Sequence, residues 1–295
     1  MKLTNKNGMP EPLVVAVGND SYTKGDADIS VTELLTPPQL RQLRIKHDHE
    51  IEEDVTDRIW SLLGQGVHHI IERAGLGLPA SLNEATVYSV YDGWKVKGQI
   101  DHVALDNGTL FDFKVTSVAK VRGGIPAREW VQQTNIYRRL LSREKGLEIG
   151  GIAVIAILRD WSRNQLASNT NYPPAPAMRF DIPLWDADEA DAFIARRIGM
   201  HQTEVPDPCT EEDVWARPER FAVMKGTNKR AIRVYDNEEE AQMLASVTKD
   251  AYVEVRPGMA VRCQSWCPVA RFCPQWQADP RRKISEDIME TMFNA

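Results

Sequence analysis

The stretch Gly98-Gln99-Ile100-Asp101-His102-Val103-Ala104-Leu105-Asp106-Asn107-Gly108-Thr109-Leu110-Phe111-Asp112-Phe113-Lys114 decides how this chain is read. Strand-forming residues lie on both sides of Asp106-Asn107-Gly108, and Asn-Gly between two such runs is the strongest short-range hairpin signal. With Asn107-Gly108 as a two-residue turn, Asp106 faces Thr109, Val103 faces Asp112 and Asp101 faces Lys114. Residues two apart on a strand point the same way, so Asp101, Asp112 and Lys114 share one face, while Ile100, Phe111, Phe113 and Val115 take the other. Directly opposed Cβ atoms lie roughly 5 Å apart and diagonal ones roughly 7–8 Å. Two carboxylates at that spacing can share a divalent cation, and a lysine beside them can reach its water. Hard oxygen ligands suit Mg²⁺ or Mn²⁺, which neutralise charge on a phosphate and acidify a water. For such a triplet alone, a surface Asp–Lys pair is the plain alternative.

The flanking elements add to the triplet. From about residue 50 to 74, Ile59, Leu62, Leu63, Val67, Ile70 and Ile71 recur at helical spacing, and Gly75 and Gly77 mark the end. At about 100° per residue, His68 points roughly 180° from Ile59, with Glu72 one turn further on. His68 is therefore solvated or faces a cleft, and an imidazole ligand would tilt a metal site toward Mn²⁺. His69 and His102 are read as bystanders. Residues 86–91 are strand-like and continue into the hairpin. Beyond the hairpin, Pro126 opens a helix to about Arg143 that carries Trp130, Gln133 and Tyr137 on one face. Trp130 is read as packing, and Arg138, Arg139 and Arg143 are suited to gripping a phosphate backbone. The apolar run Gly150 to Leu158 suits a buried strand, a loop fills 166–177, and a strand at 180–185 precedes a helix at 187–200.

Length and composition bound the rest. At 295 residues the chain is about two domains long, and 42% hydrophobic with 26% charged residues is ordinary for a globular protein. Met1 to Pro12 is polar, and Leu13 to Val17 is too short for a signal-peptide core. No run approaches the roughly 20 apolar residues that cross a bilayer. These features exclude a disulfide miniprotein, a membrane protein and a disordered chain. A net charge of −6 excludes a generally basic nucleic-acid coat but not a local basic groove. The organisation read from this is an arm at 1–30, a core at 31–204 and a cysteine-rich region at 205–295.

Within that last region, Cys263, Cys267 and Cys273 place three thiols in eleven residues, with Cys209 a distant fourth. Four thiolates suit a tetrahedral Zn²⁺ or a cubane iron–sulfur cluster, and the gaps differ from the paired C-x₂-C knuckles of structural zinc. Arg217, Arg220, Lys225, Lys229, Arg230 and Arg233 face the single acid Glu219 in their window, as a solvated charged loop or a DNA-guiding rim. Ile284, Ile288, Met289, Met292 and Phe293 form a short apolar stripe suited to packing on this chain or a neighbouring subunit rather than on a membrane.

Taken together, the residues resemble the PD-(D/E)XK nuclease superfamily, in its RecB-like exonuclease branch. Gly64, His68 and Glu72 match its helix motif, and Gly98-Gln99-Ile100-Asp101 its Gly-x-Val/Ile-Asp strand. Asp112-Phe113-Lys114 matches its acid-x-Lys strand, and Gln133 to Tyr137 its Gln-x-x-x-Tyr helix. All four fall in family order between residues 64 and 137. The resemblance implies an α/β restriction-endonuclease-like core, a mixed central sheet flanked by helices, with a cysteine-rich C-terminal extension. It implies Mg²⁺ or Mn²⁺ held by His68, Asp101, Asp112 and the carbonyl of Phe113, with Lys114 serving the attacking water and Glu72 supporting the site. Gln133 and Tyr137 would position the nucleic acid near the scissile phosphate, with Arg138 beside them.

Members of this branch frequently carry a 4Fe–4S cluster on closely spaced cysteines after the core, which favours a cluster over zinc at Cys209, Cys263, Cys267 and Cys273. Their first cysteine often precedes the core, and here none occurs before Cys209. The implied activity is metal-dependent DNA hydrolysis, exonucleolytic in mode. The implied partners are DNA and recombination or replication proteins, in a bacterial cytoplasm if the likeness to phage-encoded members extends that far. Two other classes stay open: a non-catalytic nucleic-acid-binding protein on a nuclease fold, and an interaction protein whose cysteines brace the fold.

Overall fold

The computed structural model describes residues 1–19 and 24–283, which fall into two units. Met1–Thr36 and Glu52–Glu204 form the first; Pro37–Ile51 and the described residues from Val205 onward form the second. The first unit opens with β1 (Lys2–Thr4), α1 (Glu11–Gly18), β2 (Ile29–Ser30) and α2 (Val31–Leu35). Helix α3 (Pro38–Lys46) belongs to the second unit. The first resumes with β3 (Glu52–Asp54), α4 (Ile59–Gly75), β4 (Ser81–Tyr91), β5 (Trp94–Ala104), β6 (Thr109–Thr116) and α5 (Val118–Val121). It ends with α6 (Arg128–Lys145), β7 (Gly151–Leu158), α7 (Arg163–Ser168), β8 (Ala177–Asp181) and α8 (Ala187–Gln202).

A mixed six-stranded sheet is its centre, ordered β2-β5-β6-β7-β8 with β4 also on β5. Asp92 and Gly93, both at positive φ, form a tight turn that pairs Tyr91 with Trp94 and lays β4 antiparallel along β5. Because β4 takes one edge of β5 over its whole length, β2 and β6 share the other: β2 at Val96–Lys97, β6 at His102–Ala104. Strand β6 then leaves β5 and runs parallel to the buried β7 along all eight residues. Helix α6 lies on the face of β5 that carries Gly98, where a Cβ would sit 3.0 Å from Leu140 and 3.1 Å from Tyr137, so glycine permits this approach. Ile136, Leu140, Leu141, Ile194 and Ile198 are fully buried there, with α2 and α8 beside α6. Arg197 of α8 donates to the carbonyls of Leu34 and Thr36 and so closes the end of α2.

Several expectations are corrected. The hairpin loop is four residues, Leu105–Gly108, so Ala104 faces Thr109 and Val103 faces Leu110. The Asn107 side chain accepts from Thr109 N–H, while Ala80 and Gly150 pin the loop from outside through Leu105 N–H and the Gly108 carbonyl. This slip of two keeps every side chain on its face but brings Asp101 level with Asp112 rather than with Lys114. The described residues of 1–30 do not form a loose arm. Strand β1 pairs in parallel with β3, and Asp54 accepts from Lys6 N–H at 2.7 Å and Thr4 Oγ1 at 3.0 Å. The same carboxylate caps a turn at Val55–Arg58, so α4 starts at Ile59 instead of near residue 50. Leu63 and Ile70 of the expected apolar stripe are exposed.

The second unit contains β9 (Ala216–Arg217), β10 (Arg220–Lys225), β11 (Arg233–Tyr235), α9 (Glu238–Val247), β12 (Ala251–Arg256), β13 (Met259–Ala260), α10 (Val261–Ser265) and α11 (Pro274–Ala278). Of the basic stretch, Arg220, Lys225 and Arg233 lie on β10 and β11 of a three-stranded antiparallel sheet, β11-β10-β12, with Ala222, Val223 and Met224 buried, while Lys229 and Arg230 lie in the loop between β10 and β11. Arg220 pairs with Asp236, and Arg233 lies over the Tyr235 ring, so two of its cations are engaged locally. The stripe from Ile284 to Phe293 lies outside the described residues. Among the described residues, no helix is long and apolar enough to cross a membrane.

Candidate metal centres

Gly98 and Asp101 are three apart on β5, so Asp101 faces away from α6 and toward α4. There the donor atoms of His68, Glu84 and Asp101 lie within 4.8 Å of one another, the one such trio of His, Cys, Asp or Glu among the described residues. His68 Nδ1 is 3.5 Å from Asp101 Oδ1 and 4.0 Å from Glu84 Oε1. The register of β4 on β5 sets Glu84 opposite Asp101, and Glu84 adopts φ +46, a strained conformation for a non-glycine residue. Gln99, two residues before Asp101 and on its face, donates to Glu84 Oε2 at 2.7 Å and fixes that carboxylate.

Where β6 leaves β5, the Phe113 N–H has lost its ladder partner and donates to Asp101 Oδ2 at 2.7 Å. Asp112 and Lys114 stand on the same face of β6, 2.8–2.9 Å apart as an ion pair, with Asp112 only 1% exposed. Burial pushes the Asp112 carboxyl up, against the pull of Lys114. Burial lowers Lys114, but the charges of Asp112 and Asp101 outweigh it and hold the amine as an ammonium. The hydrogen bond to Asp101 raises His68, while burial raises Glu84. Three carboxylates thus face one ammonium and one imidazole, a surplus of negative charge suited to a cation.

The expected residues are distributed unevenly over this arrangement. His68, Asp101, Asp112, Phe113 and Lys114 converge, although the observed contact of Phe113 is made by its N–H. Glu72 lies 3.5 Å from His69, and the third donor of the trio is Glu84, which sequence reasoning missed. Its signal was Asp92-Gly93: counting back from that turn pairs residue 84 with residue 101. Tyr137 is buried beneath Gly98 on the α6 face, and Gln133 donates to its hydroxyl at 2.7 Å. Arg138, expected on phosphate, donates instead to the carbonyls of Ile149 and Trp185, because α6 packs its basic stem against backbone. Arg139 makes a two-pronged pair with Asp191. His102 faces Asn83 at 2.6 Å, outside the trio.

In the second unit, all four cysteines are free thiols that line one cavity, together with Leu40, Leu43, Val214 and Trp276. The two-residue ladder of β9 and β13 brings the Cys209 loop to α10, with Arg262 N–H on the Val214 carbonyl at 3.0 Å. Gln275 then clasps Cys209, accepting from its N–H at 2.8 Å and donating to its carbonyl at 2.7 Å. Burial pushes the Cys209 thiol up to about 12 and Cys263 to about 11. It raises Cys267 as well, opposed by the N–H groups of Val269 and Ala270 aimed at its sulfur. No three of the sulfurs lie within 4.8 Å of one another.

No family model and no curated protein matches the chain. Among solved structures, one described as "Crystal structure of SSO0001" aligns at 16% identity and a TM-score of 0.46, over 65% of this chain and 85% of that one.

Proposed function

We propose that the first unit is a divalent-metal-dependent DNA phosphodiesterase with a restriction-endonuclease-like core, exonucleolytic in mode. The carrying observation is the His68–Glu84–Asp101 trio beside the buried Asp112–Lys114 pair. Two oxygens and one imidazole nitrogen are ligand types for Mn²⁺ or Mg²⁺, and Asp112 is within one residue of Phe113, whose N–H anchors Asp101. When bound, such a cation supplies positive charge at the scissile phosphate and acidity to the attacking water. Lys114, kept as an ammonium by Asp112, orients that water and donates to a phosphoryl oxygen as charge develops there. Gln99 and the Phe113 N–H hold Glu84 and Asp101 still, so the donor set needs little rearrangement.

The four cysteines would hold a metal centre in the second unit. A tetrahedral zinc site, with Zn–S near 2.3 Å, sets its sulfurs about 3.8 Å apart. The closely spaced Cys263, Cys267 and Cys273, without paired C-x₂-C knuckles, favour a 4Fe–4S cluster, which would brace the short elements around it.

The test of the nuclease reading is Mn²⁺- or Mg²⁺-dependent degradation of end-labelled DNA by the full chain. Asp112→Ala and Lys114→Ala each lower the rate by roughly 10³-fold or more, with far-ultraviolet circular dichroism like the parent's showing the fold retained. Cleavage by either variant at the parental rate overturns the assignment.

A further inference from the structure

Trp60 stands at the start of α4 with 51% of its surface exposed, unusual for the largest apolar side chain. Above its ring, 4.5 Å from the centroid, is the guanidinium of Arg159, the residue that follows β7. Among the described residues, no carboxylate pairs with that guanidinium, so its charge is available to an anion.

Two independent routes lead from the carboxylate centre to this pair. Along α4, Trp60, Gly64 and His68 follow one another at four-residue spacing on one side of the helix. A side chain at Gly64 would meet nothing within 4 Å, so the surface between Trp60 and His68 is open. Eight residues at 1.5 Å rise make that path about 12 Å long. Along β6, Lys114 and Thr116 point the same way, about 7 Å apart. Arg159 N–H then donates to the Thr116 carbonyl at 2.9 Å. Helix and strand therefore converge on the same aromatic–guanidinium pair.

We infer that Trp60 and Arg159 form a stacking site for an unpaired DNA base, about three to four nucleotides from the scissile phosphate at 3.4 Å per stacked nucleotide; this rests on the nuclease reading above. An exposed indole offers a flat face that any base can cover, and the adjacent guanidinium donates to the flanking phosphate. Only a base released from its own helix can reach such a face, so the substrate class is a strand with unpaired bases there. The role is binding and positioning, outside the reacting atoms.

The experiment is fluorescence-anisotropy titration of a labelled single-stranded oligothymidylate and a blunt duplex, each against the full chain in Ca²⁺ with cleavage suppressed. Trp60→Ala weakens single-strand binding roughly tenfold or more, the scale of one lost base–aromatic stack, and leaves duplex binding within about twofold. Trp60→Phe, which keeps a ring, stays within about threefold of the parent. The parent's tryptophan emission is quenched by the oligonucleotide, and Trp60→Phe loses part of that quenching. If the parent binds the oligonucleotide and Trp60→Ala binds it equally well, this inference falls while the nuclease reading stands. If the parent binds neither DNA at low salt, both fall.

Discussion

The carboxylate centre hangs on a paired sheet, whereas the cysteine cavity is gathered from a two-residue ladder, a five-residue helix and loops. In the first unit, the β4, β5 and β6 registers place the carboxylates, and each charged group of the site already has a neighbour of opposite sign or a hydrogen bond. In the second, the cavity walls mix four thiols and apolar side chains with Asp213, Arg262 and Asp279, and little regular structure holds the cysteines. A site of the first kind is shaped by its scaffold and survives without its ion. If the proposed metal centre is held at the second, its binding energy would also be folding energy.

The largest effect expected from this contrast lies in the cysteines. Cys263→Ala lowers the stability of the second unit by more than about 3 kcal/mol, seen as lost amide protection from 205 to 283 with little change in the β5–β7 amides. Melting and protection equal to the parent's would make the cysteines ordinary apolar filling and erase the contrast. Next comes Glu84→Gln, which keeps shape and the contact with Gln99 but removes a charge from the trio. Calorimetric Mn²⁺ affinity drops roughly 10- to 100-fold while melting is unchanged. Unchanged affinity would remove Glu84 from the donor set.

The smallest effect belongs to a purely structural ion pair, which serves as the control. Arg139 first, then the Tyr91 hydroxyl, holds the Asp191 carboxyl below its ordinary range. The stability this supplies is present above the unfolded carboxylate value near 3.9 and is lost as pH falls through the lower folded value. Asp191→Asn therefore costs about 1 kcal/mol at pH 7, and its melting gap from the parent closes as pH falls through the lowered folded value. A gap that widens on acidification would reverse the sign and refute this account.

Strand and helix types in the first unit were largely legible, because 150–158 is a continuous apolar run of strand length and Pro126 opens a helix whose Trp130, Gln133 and Tyr137 recur at helical spacing. The faces of Asp101, Asp112 and Lys114 were legible too, since a register slip of two preserves alternation. The slip itself was hidden: it is imposed by Ala80 and Gly150, remote from the turn that local rules read. Glu84 was half hidden, for its strand was expected to begin at residue 86 although Asp92-Gly93 fixed its partner. The fate of Arg138 was out of reach, because a basic residue bonded to distant carbonyls looks the same in sequence as one awaiting phosphate. Likewise Cys209 approaches the other thiols through Gln39, Gln275 and the β9–β13 ladder, contacts remote in sequence.

Helix α3 and the residues after it are packed with partners made much later in synthesis. Leu40 and Ile51 join Val269 in one apolar cluster, and the His47 ring stacks on Phe272 at 4.1 Å. More than 200 residues separate these halves, a delay of roughly 10–40 s at 5–20 residues per second on a ribosome. During that interval the nascent chain displays a greasy segment with no cover. A product halted near residue 204 never acquires one, so clipping the chain there to isolate a minimal fragment would yield a sticky polypeptide unless 37–51 were re-engineered as well.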